Sequence, residues 1–239
     1  MKRTLLALSA LVVVAQASFN PVQTIKNKLF KREKVQAEND AWPVVHWPVD
    51  FETHGNLYTW NNETQKLELF AHTQLDEYID STGNREKIIT QMDVPGIGFA
   101  EIITFVDANT HKVYQKIPKI EKCSVYDLPP AFNLTTLVHA LKDPSANITT
   151  YLGVKTLPWA GETTYHAFHI DVEEIKETVY FCTKCHEVKW VTIDTNGYIL
   201  GTPKGTQDRV FTDADFDGAT CQSSEPSTFI QNPKRRIMF

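Results

Sequence analysis

The fold class follows from one stretch, Ile97-Gly-Phe-Ala-Glu-Ile-Ile-Thr-Phe-Val106, which runs through Asp107-Ala-Asn-Thr110 into Val113-Tyr-Gln-Lys-Ile117. The first and last segments are rich in β-branched and aromatic residues, which favour strands. Asp and Asn in the middle favour a turn because their short side chains hydrogen-bond to the nearby backbone. The stretch therefore predicts two antiparallel strands joined by a short turn.

The same pattern recurs on both sides of this stretch. Upstream, Ser81-Thr-Gly-Asn84 separates two apolar-rich segments. Downstream, Asn196-Gly197 separates Val188–Ile193 from Tyr198-Ile-Leu200. Asn-Gly is a strong hairpin signal because both of its residues tolerate positive φ. Hairpins at such short intervals predict an antiparallel meander rather than parallel strands with crossover helices.

One helix interrupts the strand signals. Leu128-Pro-Pro-Ala-Phe132 ends any strand, and Asn133 can cap the helix that follows. Four apolar residues then recur at helical spacing on one stripe: Leu134, Leu137, Val138 and Leu141. Asp143-Pro144 ends the pattern. The sequence therefore predicts an α+β fold, mostly antiparallel β, with a helix packed on one face of the sheet.

The amino end has the layout of a signal peptide. Lys2 and Arg3 precede the uncharged run Leu5–Ala15, and Ala15-Gln16-Ala17 is a small-x-small cleavage site. The run is shorter than the roughly 20 apolar residues that a membrane span needs. Residues 1–17 are therefore predicted to be removed, which places the protein outside the cell or in the lumen of the secretory pathway. An uncleaved anchor is the alternative.

The rest of the chain divides into three parts. Residues 18–40 are predicted to be a flexible lead-in or a propeptide, because Lys31-Arg32 resembles the dibasic sites that secretory convertases cleave. Residues 41–221 are predicted to form a single β-rich domain. Residues 222–239 show no periodicity and are predicted to be a disordered tail.

The charge of the chain excludes one class of partner. The full sequence has 24 basic and 29 acidic side chains, a net charge of −5. Cleavage after residue 17 would change it to −7, and cleavage after Arg32 to −11. Nucleic acid binding needs a basic surface that faces the phosphates, so we expect no nucleic acid partner.

Three N-x-Thr sequons fit the same compartment. They begin at Asn62, Asn133 and Asn147, and none has proline in its middle position. A glycan needs a solvent-exposed acceptor, so the sequons also predict loops or exposed edges at these positions. The sequence therefore predicts a glycoprotein.

Four cysteines are expected to form disulfides in an oxidising compartment: Cys123, Cys182, Cys185 and Cys221. Sequence alone allows three pairings. Cys182 and Cys185 could pair with each other only in a tight turn, so bonds from each of them to Cys123 or Cys221 are preferred here. Catalytic redox chemistry and c-type haem attachment through Cys182-Thr-Lys-Cys185-His186 are less favoured, because the flanking segments are strand-like.

An acidic segment near the carboxyl end matches the first half of a calcium loop. Asp213, Asp215 and Asp217 alternate before Gly218, as the first ligands of such a loop do. The twelfth position, which needs a bidentate glutamate, is Ser224. The pattern therefore predicts at most a weak structural calcium ion, and a solvated acidic turn is the alternative. No other cofactor is expected.

The chain resembles ependymin-related secreted proteins in the order of these elements. The resemblance rests on the order Gly98–Phe105, Lys112–Lys116, Cys123, Leu128 and then a helix, and it covers roughly Tyr58 to Thr202. It implies a strongly curved antiparallel sheet with helices on its concave face, related to bacterial lipoprotein carriers. It also implies an apolar pocket for lipid-like ligands and, as in the ependymins, calcium binding. The close spacing of Cys182 and Cys185 departs from the family.

No local catalytic signature is present. The chain has no Gly-rich phosphate loop, no Gly-x-Ser-x-Gly elbow and no His-Glu-x-x-His, so we expect no enzyme. Two functions stay open. One is a carrier whose pocket the helix stripe would line or cover, supported by aromatic residues such as Trp60, Trp159 and Trp190. The other is an extracellular adhesion, matrix or surface-coat protein with no ligand.

Overall fold

A computed structural model describes residues 42–172, 175–193 and 197–221. The predicted signal peptide (1–17), lead-in (18–40) and carboxyl tail (222–239) lie outside the described residues, as does Asn196 of the third hairpin turn. The described residues form one antiparallel sheet, one α-helix and three short 3₁₀ segments.

The sheet has twelve strands in the described part of the chain. Their bounds are β1 Asp50–Asn61, β2 Lys66–Asp80, β3 Arg85–Val94, β4 Gly98–Asp107, β5 Lys112–Ile117, β6 Lys122–Asp127, β7 Thr149–Thr156, β8 Thr164–Val172, β9 Ile175–Cys182, β10 Val188–Ile193, β11 Tyr198–Gly201 and β12 Thr206–Asp208. The helix, α1, is Leu134–Leu141, and the 3₁₀ segments are Pro118–Ile120, Pro144–Ala146 and Asp213–Phe216. The strand order is β6-β5-β4-β3-β2-β1-β11-β10-β9-β8-β7, and β12 pairs with β1 beside β11.

The structure confirms the predicted α+β fold, in which most of the described residues form antiparallel strands and one α-helix follows Asn133. β2 and β3 meet around Ser81–Asn84, and β4 and β5 around residues 108–111. α1 begins after Asn133, whose side chain accepts a hydrogen bond from the backbone N–H of Thr136 at 2.7 Å. Among the described residues, no helix has the length and apolar character that crossing a bilayer requires.

The main hydrophobic core lies between the sheet and α1, on a side of the sheet that we call the core face. Its buried members come from α1, from the segments beside it and from strands far apart in the strand order: Ile79, Val106, Ala108, Val113, Leu128, Phe132, Leu134, Leu137, Val138, Ala146, Ile148, Phe168, Ile170, Val172, Val179, Phe181 and Val188. Side chains alternate between the two faces of a strand. Positions that flank these residues therefore point to the opposite side, which we call the outer face.

The outer face is crossed by residues 209–221, which we call the strap. Phe211 packs near Tyr78 of β2, with ring centroids 6.4 Å apart, and Phe216 packs on Phe105 of β4 at 5.7 Å. Further along, the ammonium of Lys116 on β5 donates to the backbone carbonyl of Gly218. The strap thus follows the strand order from β12 towards the edge strand β6.

Candidate functional site

α1 is fixed to the sheet through the turn between β2 and β3. The backbone N–H of Leu134 donates to Oδ1 of Asn84 at 2.7 Å, and the hydroxyl of Thr135 donates to the carbonyl of Ser81. Asn84 adopts a positive φ of 59°, a conformation that Asn tolerates better than most residues. The turn that sequence reasoning identified is therefore also the point where the helix docks.

The predicted stripe of α1 packs into the core. Leu134, Leu137 and Val138 are buried, and the half-buried Leu141 packs against the same cluster. Leu134 is fully buried, with 0% of its surface exposed. The stripe therefore faces the core cluster between helix and sheet, and a pocket beside it stays a prediction.

A second segment, residues 42–49, also packs on the core face. The ring of Trp42 lies 5.2 Å from that of Phe168, and Trp47 lies 5.2 Å from Phe168 and 4.7 Å from Phe181. Val45 and Val49 pack against the same cluster. Sequence reasoning gave this segment no role, although two tryptophans and three valines in eight residues indicate burial.

The three tryptophans that were expected to support a pocket lie elsewhere. Trp159 and Trp190 pack with Leu157, Tyr165 and Cys182 in a separate cluster, and Trp60 lies 5.8 Å from Trp159. Trp190 follows a register shift in β10 and pairs with Tyr180, whose neighbours Val179 and Phe181 belong to the core face. These tryptophans therefore form an aromatic cluster on the outer face and give no support to a pocket beside α1.

Three glutamates are buried on the core face: Glu77, Glu86 and Glu177. Glu177 of β9 precedes the core residue Val179 by two positions and therefore faces the same way. Glu77 precedes the core residue Ile79 by two positions on β2, so both side chains point to the same face. Glu86 of β3 pairs with Ile79 on one side and with Val106 of β4 on the other, and both of these neighbours belong to the core. Glu77 is 8% exposed and Glu86 0% exposed.

The carboxyl groups of Glu77 and Glu86 hydrogen-bond to each other. Burial raises the pKa of Glu77 to about 7, although the hydrogen bond with Glu86 acts in the opposite direction. A protonated carboxyl can donate to a carboxylate at short range, so the pair is stable while it shares one proton. The pair therefore presents both acceptor and donor capacity inside an apolar environment near neutral pH.

Buried threonines extend this polar strip across the core face. Thr53 of β1 pairs directly with Glu77, and Thr206 of β12 pairs with Thr53. Thr104 of β4 precedes Val106 by two positions and faces the same way. All three threonines are at most 8% exposed. The core face therefore combines a large apolar cluster with a short row of polar side chains.

Sequence reasoning missed the glutamates, but a signal for one of them exists. In Leu75-Asp-Glu77-Tyr-Ile79, the alternation that buries Leu75 and Ile79 also directs Glu77 inward. No comparable local signal identifies Glu86 as its partner, because that contact depends on the register between β2 and β3.

The cysteine pairing differs from the preferred one. Cys123 of β6 is bonded to Cys221 at the end of the strap, with Cα atoms 5.8 Å apart, whereas Cys182 and Cys185 are free thiols. The strap brings Cys221 to the edge strand β6, while the hairpin that carries the other two cysteines lies in the opposite half of the strand order. The prediction that Cys182 and Cys185 bond to Cys123 or Cys221 is therefore wrong.

The predicted calcium ligands lie in the strap, and two of them are engaged by arginines. The carboxylate of Asp213 pairs with Arg85 at 2.7 Å, and that of Asp215 pairs with Arg209. Hydrogen bonds from the backbone and hydroxyl of Thr212 are the main causes that lower the pKa of Asp215. Among the described residues, no group of three or more potential metal ligands converges. Calcium binding stays a prediction.

The three sequon asparagines are exposed. Asn62 lies in the turn between β1 and β2, and Asn147 follows the 3₁₀ segment Pro144–Ala146. Asn133 caps α1 through Oδ1, which leaves its amide nitrogen, the atom that carries a glycan, free of the cap. The amide nitrogen of Asn147 donates to the carbonyl of Ser145 at 3.1 Å. Glycosylation stays a prediction at all three positions.

Comparison with solved structures finds a similarity to the crystal structure of a DUF1329 family protein from Desulfovibrio piger. The match covers 84% of this chain and 99% of that chain, with 7% sequence identity and a TM-score of 0.34. Neither a protein-family model nor a curated protein matches the chain. The resemblance to ependymin-related proteins therefore rests on the sequence pattern.

Proposed function

We propose that this chain is a secreted glycoprotein that binds a lipid-like or other apolar ligand between the sheet and α1, and that it is not an enzyme. The observation that carries the proposal is the composition of the core face, where the buried carboxyls of Glu77 and Glu86 lie beside a large apolar cluster. Small-molecule sites in proteins are mostly apolar and contain a few placed polar groups. A buried acid pair is costly in a core that only needs to be packed.

Strong curvature of the sheet is part of this proposal. β5 and β8 are eight places apart in the strand order. At about 4.8 Å per strand they would be about 38 Å apart in a flat sheet, far more than the 10–12 Å width of a helix. Val113 of β5 and Phe168 of β8 nevertheless belong to the same cluster as α1. A sheet that curves around the helix accounts for this and would make the core face concave.

The polar strip limits the chemistry of the ligand. A pair of glutamates that shares one proton can accept a hydrogen bond from a hydroxyl or pair with an amine. It would repel a carboxylate at neutral pH, because a second negative charge would enter the same apolar space. We therefore propose an apolar ligand with a hydroxyl or amine head group rather than a free fatty acid.

The test uses the protein secreted from a eukaryotic host. Organic extraction followed by mass spectrometry should recover an apolar molecule close to one per chain. The delipidated protein is then titrated with dodecylamine, dodecanol and dodecanoate at pH 7. We expect the amine and the alcohol to bind more tightly than the carboxylate, and Glu77→Gln to reduce this discrimination.

A matched control comes from the other face of the same sheet. Glu101 lies on β4 at a position that alternates with core-face residues, so Glu101→Gln removes a carboxyl from the outer face and should leave the titrations unchanged. A preparation without extractable ligand that binds none of the three probes would contradict the carrier function. If that preparation instead captured an extracellular protein partner, the adhesion, matrix or surface-coat alternative would be favoured.

A further inference from the structure

The hairpin between β9 and β10 holds two free thiols in one tight loop. The backbone N–H of Cys182 donates to the carbonyl of Glu187 at 2.9 Å, and the N–H of His186 donates to the carbonyl of Cys182 at 2.8 Å. His186 closes the loop with a positive φ of 60°. These bonds fix Cys182 and Cys185 three positions apart on the same turn.

The two sulfurs are already in contact through hydrogen bonds. The backbone N–H of Cys185 donates to Sγ of Cys182 at 3.1 Å, and the two side chains also hydrogen-bond to each other. Cα atoms three residues apart in a tight turn are closer than about 7 Å, and disulfides span about 4.4–6.8 Å between Cα atoms. A bond between these sulfurs therefore needs only small adjustments of the loop.

The surroundings favour a thiolate on one sulfur and a thiol on the other. Burial alone would raise the pKa of Cys182, but hydrogen bonds from Cys185 and from the backbone of Lys184 lower it overall, with help from the charge of Lys189. Burial and the hydrogen bond to Cys182 raise the pKa of Cys185. The proton between the two sulfurs is thus held on Cys185.

Access to the two sulfurs is unequal. Cys185 is exposed, whereas Cys182 is 8% exposed and packs with Leu157 and Tyr165 on the outer face. Because its neighbour Phe181 points to the core face, Cys182 points away from the space that the proposed ligand would occupy. The loop is therefore a site separate from the proposed function and does not depend on it.

We propose that Cys182 and Cys185 form a reversible dithiol–disulfide pair that closes within the loop by exchange with a low-molecular-weight disulfide such as oxidised glutathione. The exposed Cys185 first passes its proton to Cys182 across the hydrogen bond between the two side chains. It then attacks as its thiolate, breaks the glutathione disulfide and releases one glutathione thiolate, which takes that proton from Cys182. The thiolate of Cys182 then attacks Sγ of Cys185, forms the protein disulfide and releases the second glutathione thiolate. One glutathione thus carries the proton that Cys185 held and the other takes a proton from water, and together they take up the two electrons that the protein loses.

The same arrangement makes the bond easy to reduce. An external thiolate attacks the exposed sulfur of Cys185 and expels Cys182, whose lowered pKa makes it a good leaving group. Stabilisation of one thiolate in the reduced form also shifts the equilibrium towards the dithiol. Cys182–Cys185 should therefore open at a less reducing potential than Cys123–Cys221.

The experiment equilibrates the secreted protein in glutathione buffers of graded ratio, traps free thiols with N-ethylmaleimide and maps the peptides without reduction. In oxidising buffer we expect a peptide with an internal Cys182–Cys185 bond and no trapped maleimide. As the buffer becomes more reducing, this peptide should take up two maleimides while the Cys123–Cys221 peptides stay linked.

Two single variants test the order of attack. Cys182→Ser should accumulate one glutathione on Cys185, because the second step is blocked. Cys185→Ser should take up little glutathione in the same time, because Cys182 is shielded. Two trapped thiols in the wild-type protein at every buffer ratio would overturn the proposal, and so would bonds from Cys182 or Cys185 to the other two cysteines. Faster glutathione uptake by Cys185→Ser than by Cys182→Ser would overturn it as well.

Discussion

The two faces of the sheet are covered in different ways. On the core face, α1 and the segment 42–49 bury apolar side chains in one cluster, together with the acid pair Glu77 and Glu86. On the outer face, the strap is held by a few aromatic contacts, by the ion pairs of Asp213 with Arg85 and of Arg209 with Glu52, and by one disulfide at its end.

Because different interactions hold the two faces, we expect their stabilities to depend on different solution conditions. Burial of apolar area contributes in proportion to the area removed from water and is insensitive to reductant. The strap buries few large side chains, among them Phe216, so its attachment depends more on the covalent link. We expect the outer face to respond to loss of the disulfide and the core face to respond to pH.

The largest effect should follow removal of the disulfide from the strap. The paired change Cys123→Ser and Cys221→Ser opens a link between positions separated by 98 residues. In the chain-entropy model, a loop of about 100 residues corresponds to about 4–5 kcal/mol of stability. Urea unfolding of the mature protein should show a loss of this order in the free energy of unfolding.

The other cysteine pair provides the control. Cys182→Ser with Cys185→Ser removes as many sulfurs but leaves the long-range link of the strap intact, so the loss should be well below that of the strap variant. Equal losses for the two double variants would mean that the strap contributes little through its covalent link, and the comparison of the faces would fail.

The next effect is a pH dependence that belongs to the core face. The pKa of Glu77 is raised from 4.5 to about 7 in the folded protein. The folded state therefore binds more protons than the unfolded state between these values, and the stability contributed by this group falls as pH rises through 7. A shift of this size corresponds to about 3 kcal/mol, because each pH unit is about 1.4 kcal/mol.

The measurement compares Glu77→Gln with the wild-type protein by urea unfolding at pH 5 and at pH 8. Glutamine cannot ionise, so the variant should gain stability relative to the wild type at the higher pH by an amount of that order. Because other carboxyls titrate in both proteins, only the difference between the two proteins is informative. Parallel curves at the two pH values would show that Glu77 does not titrate in this range.

The parts that sequence predicted are those that local chemistry determines. The turn Ser81–Asn84 and the helix after Asn133 were found because turn residues, a cap and an apolar stripe lie within a few positions of one another. The strap was missed because its residues carry no periodicity. Its path exists only after β2 to β5 have formed the surface that it crosses.

The site was predicted less completely for the same reason. The stripe of α1 was identified, but the acid pair depends on the register of β2 against β3, and no local pattern showed which face Trp159 and Trp190 occupy. The cysteine pairing depends on where the strap ends. A spacing of three residues between Cys182 and Cys185 could not show that a tight loop would hold their sulfurs together.

A smaller effect on stability should distinguish the two carboxylates that pair with Arg85. Arg85 pairs with Asp80, whose side chain is 8% exposed, and with Asp213 of the strap, which is 95% exposed. Exposed ion pairs contribute about 0–1 kcal/mol, whereas a buried charge that loses its partner costs more. Asp213→Asn should therefore change the free energy of unfolding by less than about 1 kcal/mol, and Asp80→Asn by clearly more. The reverse order would show that the strap is held chiefly by its ion pairs.

The smallest effect expected is that of calcium on the strap. An ion at Asp213, Asp215 and Asp217 would compete with Arg85 and Arg209 for two of the three carboxylates. Even at an affinity of about 1 mM, about 5 mM calcium would stabilise the protein by only about 1 kcal/mol, and the competing arginines reduce this. A thermal melt with calcium, with magnesium as the control ion, measures the shift in melting temperature.

Asp217→Asn should abolish any calcium-specific part of this shift without disturbing either arginine pair, because Asp217 is exposed and takes no part in those pairs. A shift that persists in this variant, or that magnesium reproduces, would assign the effect to general screening of the acidic surface. The outer face would then depend on its disulfide and its arginines without any ion.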